Sequence, residues 1–225
     1  MRCLCLIFGL VFSIATSGFG QSSEKPVLID QFGELPCDDR MARLDPFFVE
    51  LANHPDSQGL VVINHSPSDR MEAVFQQRMI ERYTRFRGFD LERIDIERSS
   101  SSNDLKVSFW RLPAGAPKPE HTLDTSFEIT EKTTPFLFAS EEIYGHVECS
   151  EFDIDIFAQF LKSNPAARAN LVFRDLSARE GRRRADETLS MLIGEHEIEK
   201  HRIRTFFVKP RPNSYEPITE FWYLP

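Results

Sequence analysis

Apolar residues recur along this chain in two rhythms, and the same succession of rhythms occurs twice. A short apolar run at 27–30 precedes a segment whose apolar positions are Leu44, Phe47, Phe48 and Leu51. Spacings of three and four put these on one helix face. Pro46 is tolerated only near a helix start, so Asp45 is a candidate N-cap; alternatively a turn from Asp38 is separated by a kink. A continuous apolar run at 60–64 reads as a buried strand. A second helix is predicted to begin near Asp69, with Glu72 three residues on as a capping box. Its stripe is Met71, Val74, Phe75, Met79, Tyr83 and Phe86, and Gly88 suits the C′ position. Two strands, 93–98 and 105–112, joined by turn-rich 99–104, close the unit.

Sliding the sequence along itself explains the recurrence. Leu44, Phe47, Leu51 and Pro55 fall opposite Ile154, Phe157, Leu161 and Pro165, an offset of 110 residues (44 to 154). Arg93-Ile94 matches Arg202-Ile203, and Phe109-Trp110 matches Phe221-Trp222. The second copy predicts strands at 136–139, 171–173, 202–208 and 218–224, a helix around Ile154 to Leu161, and another through Ala185, Leu189, Leu192 and Ile193. The fold expected is α+β: tandem β-α-β-α-β-β two-layer sandwiches, with helices on one face of each mixed sheet. The units are 21–113 and 135–225. Residues 114–134, with Pro117 and Pro119 near their start, read as an extended linker in which Phe127 and Ile129 alternate as an extra strand.

Alternation also assigns the sheet faces. Leu105, Val107 and Phe109 should meet the helices, leaving Trp110 on the open face with Asp95 and Glu97. The equivalent face of the second unit carries Trp222, Ile218, Leu224, Phe206 and Val208. So apolar a surface calls for a cover, and one from within the chain is the simplest expectation.

Arg2 followed by the apolar stretch 4–14 and the small residues before Gln21 reads as a signal peptide, residues 1–20. The apolar core is short of the ~20 residues a membrane span needs, so the mature chain is expected in the periplasm or outside the cell. Export leaves Cys37 and Cys149, either one disulfide or two buried thiols. The net charge of −8 argues against a nucleic-acid partner.

Candidate chemistry is sparse. His196 and His201 are five apart, about 140° around a helix, so solvated loop charges explain them better than zinc. His65, Ser66 and Asp69 can be drawn as a triad but lie too close in sequence to cooperate. Arg179, Arg182, Arg183 and Arg184 form the concentrated positive run, most simply a solvated helix face. No nucleophile elbow or phosphate-binding glycine loop occurs, and no cofactor or metal is expected.

The strand-loop-helix segment, with Arg174-Asp175 after the strand and Arg184-Ala185 on the helix, resembles the C-terminal domain of the outer-membrane-protein-A family. That resemblance implies peptidoglycan binding, with an Asp and an Arg gripping a zwitterionic ligand; here these would be Asp175 and Arg184. The first copy, with Asn64-His65-Ser66, lacks the Asp and the Arg-Ala pair. The chain also resembles uncharacterised secreted bacterial proteins carrying the same duplicated unit. The function expected is a non-catalytic envelope module binding cell-wall material or a protein partner. The alternative is a secreted hydrolase with an unrecognised active site.

Overall fold

The computed structural model describes residues 24–100, 103–130, 132–142, 154–175, 177–210 and 217–225. The predicted signal peptide and Cys149 lie outside them. The first unit runs β1 (Val27–Phe32), α1 (Cys37–Asn53), β2 (Gln58–Asn64), α2 (Arg70–Phe86), β3 (Ile94–Ser99) and β4 (Lys106–Leu112). The second runs β5 (Phe136–Glu142), α3 (Ile154–Ser163), β6 (Arg168–Arg174), α4 (Ala178–Leu189), β7 (Ile203–Val208) and β8 (Ile218–Leu224). Both build a four-stranded mixed sheet of the same order, β1-β4-β2-β3 and β5-β8-β6-β7. The α+β architecture is as the hydrophobic pattern predicts.

The duplication extends to backbone register. Gly59 pairs with Ile94 as Ala169 pairs with Ile203, and Leu60 faces Trp110 as Asn170 faces Trp222. Even the irregularity is copied: β1 bulges between Leu28 and Asp30, and β5 between Leu137 and Ala139. A bulge turns one extra residue inward, and here the extra residues, Ile29 and Phe138, both join their units' cores.

One repeated pair now has a physical reason. Arg93 donates to the carbonyls of Leu51, His54 and Ser57, and Arg202 to those of Leu161, Asn164 and Ala167. Each guanidinium closes the C-terminal end of its unit's first helix, where backbone carbonyls lack intrahelical partners. A planar five-donor fork does this; a lysine would satisfy fewer acceptors.

Several local expectations are corrected. Helix α1 starts at Cys37 and carries Pro46 in its interior, not near its start. Asp69 does not close a capping box: its carboxylate accepts from the Ser66 hydroxyl, while Glu72 pairs with Arg40 and Gln76. Gly88 is the C′ residue expected, at φ 66°. Strands β3 and β4, consecutive in sequence, are separated in the sheet by β2.

The largest departure concerns α2. Its apolar stripe is divided between two cores. Ala73, Met79, Ile80 and Tyr83 pack in the first unit. Val74 and Phe75 are buried in the second unit's core, with Met71 packed beside them. Phe75 meets Phe138 edge to face, ring centroids 5.3 Å apart. The segment before β5 is no strand: Phe127 and Ile129 pack against the second core, and Asn164 holds both backbones through its amide.

Two tests follow from these contacts. Phe75→Ala should cost about 3–5 kcal/mol as a large buried aromatic. In single-tryptophan backgrounds, Trp110 and Trp222 should then report separate urea transitions, where the parent shows one; coincident transitions in the variant would disprove the coupling. Cys149 is the partner that the repeat predicts for Cys37. Non-reducing peptide mapping should recover a Cys37–Cys149 linked peptide that vanishes on reduction, and two alkylatable thiols would contradict it.

Candidate functional site

The two positions that follow the central strands, His65 after β2 and Asp175 after β6, are equivalent in the repeat and lie in different chemistry. Asp175 forms an ion pair with Arg184 at 2.8 Å, both side chains at least nine-tenths buried. Arg184 also donates to the Thr219 hydroxyl and stacks over Phe173, 5.9 Å from the ring centroid. Gly181 admits this carboxylate: a Cβ there would come within 3.2 Å of Asp175 Oδ2. The structure thus brings the two predicted ligand residues together, but against one another. Asp175 lines a cavity of about 250 Å³ with Phe173, Ser177, Gly181, Phe207 and Lys209; Arg184 is not among its walls.

In the first unit the corresponding position carries a buried charged knot. His65 is fully buried, and its Nδ1 donates to the Ser66 carbonyl at 2.8 Å. Its Nε2 lies 3.1 Å from Asp124 Oδ2 without hydrogen-bond alignment. Arg70 Nε donates to the same oxygen at 3.1 Å, and the Ser126 amide to Oδ1 at 2.8 Å. Burial by itself would raise the Asp124 carboxyl, but the Ser126 amide, Arg70 and His65 outweigh it and hold it below the usual range. Arg98, also buried, is pushed down by desolvation, against the pull of Asp124. Of the three residues drawn as a triad, Ser66 and Asp69 do meet, hydroxyl to carboxylate at 2.7 Å, while His65 turns to Asp124.

This knot fastens the linker to the first unit. Lys118 reaches Asp95 at 3.0 Å and Glu97 at 2.6 Å, and His121 reaches Glu97 at 2.5 Å. Bonds to Glu97, then Asp95, raise the Lys118 ammonium. Ser99 pairs with Leu123 in an antiparallel bridge, and the Asp124 amide donates to the Arg98 carbonyl at 2.8 Å. Arg98 lies over Phe127, 4.9 Å from its centroid. Residues 118–127 therefore cross the open face of the first sheet and meet its β3 edge through a single antiparallel bridge. On that face Leu60 and Val62 are buried, and Trp110 packs with them.

The second sheet's open face differs. Phe206 and Val208 are 43 and 38% exposed, whereas Leu137 is exposed just as its counterpart Leu28 is; Phe207, on the opposite face at the β7 edge beside Phe173, is half-exposed. The linker around Phe127 goes to the helix side, edge to face with Phe160, and does not cover this surface. Cover from within the chain, the simplest expectation, is not found among the described residues for these positions. Glu220 is buried there, held by Arg174 at 2.7 Å and by the Trp222 indole at 3.1 Å. Of the histidines, His196 bonds Asp155 at 2.9 Å, and no group of three metal-ligating side chains occurs among the described residues. Arg183 of the basic run pairs with Glu180 and Glu187.

Sequence reading missed Asp124, Arg70, Arg98 and Thr219, all of which act across long sequence separations. Only Glu220 carried a signal, since alternation sets it on Trp222's face. No family model matches the sequence, and no curated protein matches it. Fold and geometry define a duplicated α+β protein with one strapped sheet and one open sheet.

Asp124 has a lower pKa folded than unfolded, so its contribution is complete above about pH 4 and is lost as pH falls through the folded value. Asp124→Asn should lower stability at pH 7 by about 2–4 kcal/mol, because Arg70 and Arg98 keep their burial without a counter-charge. Its stability should also vary less than the parent's below about pH 4. Urea titrations of both proteins at neutral and acid pH check this; parallel pH profiles would exclude it.

Proposed function

We propose that the chain is a non-catalytic, exported envelope module that binds a protein partner or cell-wall material through its second unit. The observation that carries this reading is the apolar surface of Phe206 and Val208 on β7, left open where the first unit's equivalents, Glu97 and Ser99, meet the strap. A rimmed apolar patch of this kind marks an interaction site more often than it serves stability. Arg168 and Arg204 rim it, both exposed. The polar residues singled out in the sequence are engaged in pairs that hold structure, Asp175 by Arg184 and His65 by Asp124. Export rests on the signal-like residues 1–20. No helix among the described residues is long and apolar enough to cross a membrane.

The family resemblance keeps cell-wall material within the proposal. Asp175 would present its carboxylate to the cavity, but Arg184 would have to leave Thr219 to grip the same ligand. A protein partner on the apolar face requires no such rearrangement, and is the reading favoured. The test compares mature wild type, Phe206→Glu and Asp175→Asn in two assays: co-sedimentation with purified peptidoglycan and capture of partners from envelope extract. Loss of capture in Phe206→Glu supports the protein-partner reading. Co-sedimentation that Asp175→Asn abolishes assigns cell-wall binding to the cavity. Failure of wild type in both assays would overturn the proposal.

A further inference from the structure

From the repeat we infer that β7 and the adjoining open face of the second sheet take an extended segment of a partner protein as an added antiparallel strand, acidic and apolar where the chain's own strap is basic. The inference rests on the protein-partner reading above and specifies its mode. Its template is internal. In the first unit an extended peptide already occupies this place: residues 118–127 cross the open face, bridge Ser99 through Leu123, and bond the Arg98 carbonyl.

Register transfers that template residue by residue. Strands β3 and β7 hold equivalent positions beside β2 and β6, so Asp95, Glu97, Arg98 and Ser99 correspond to Arg204, Phe206, Phe207 and Val208. The Phe207 carbonyl and the Lys209 amide then stand where the Arg98 carbonyl and the Ser100 amide accept and donate to the strap. Among the described residues no segment pairs with this edge of β7. Open edges of this kind are templates for strand addition, with main-chain bonds giving affinity and side-chain pockets specificity.

The side chains state what the added strand must carry. Lys118 of the strap bonds Asp95 and Glu97; Arg204 in place of Asp95 calls for an acid. His121 bonds Glu97; Phe206 in place of Glu97 calls for an apolar residue. Asp124 of the strap faces His65; Asp175 in place of His65 excludes an acid there. Phe207, stacked on Phe173 with centroids 5.9 Å apart, offers a hydrophobic contact where Arg98 offers a guanidinium. Each substitution in the sheet changes the ligand in a defined direction, and specificity of this kind is a difference between matched and mismatched segments.

The probe is a fluorescein-labelled peptide of residues 116–127 bearing Lys118→Glu, His121→Leu and Asp124→Asn, with the unaltered 116–127 peptide as control. Anisotropy titrations against the mature protein should show saturable binding of the altered peptide, at least about tenfold tighter than the control, or ~1.4 kcal/mol. Arg204→Glu and Phe206→Glu should each weaken it by a similar factor. Both positions are exposed, so folding should survive, and circular dichroism verifies this; if one variant misfolds, the other carries the test. No saturable binding, equal affinity for both peptides, or binding unchanged in the variants overturns the inference. So does a wild-type dimer in sedimentation that Phe206→Glu dissociates, which would give the face to a second copy of this chain. Envelope capture without peptide binding would leave the proposed function standing and remove only this mode.

Discussion

The placement of the two sheets depends on helix α2 being buried from two sides. A surface helix ordinarily buries one stripe and solvates the other. Here Met79 and Ile80 fill the first core while Val74 and Phe75 enter the second, where Phe75 meets Phe138. The bulge that turns Phe138 inward supplies the surface Phe75 packs on. With α2 shared, the units cannot rearrange without exposing a large aromatic side chain, and the segment between them is held to one path. That path takes it over the first sheet before it reaches Asn164.

Duplication and divergence divide differently between backbone and side chains. Sheet order, strand register, the bulge and the helix-closing arginine are common to both copies. All are conditions for closing a unit at all, since unpaired buried backbone groups and misaligned faces are costly. What diverges lies on the open face and at the strand ends: acids at Asp95 and Glu97 become Arg204 and Phe206, and His65 becomes Asp175. In one copy these positions receive the chain's own linker. In the other they form a paired charge, Asp175 with Arg184, beside an exposed apolar edge.

Read as a pattern, the sequence determines element identity, the repeat, and which residues of a strand share a face. Period-2 and period-3.6 spacing are local properties, so Phe109 and Trp110 fall on opposite faces whatever surrounds them. The candidate pair was legible only as two residue types after a strand and on a helix; that they neutralise each other depended on Gly181 leaving room for the carboxylate. Tertiary structure alone decided that α2 serves two cores, that Asp124 meets His65 and Arg70 across more than fifty residues, and that one sheet is strapped while its copy stays open. These outcomes turn on contacts between segments far apart in the chain. Local periodicity specifies which face is apolar, and only the packed chain specifies what that face meets.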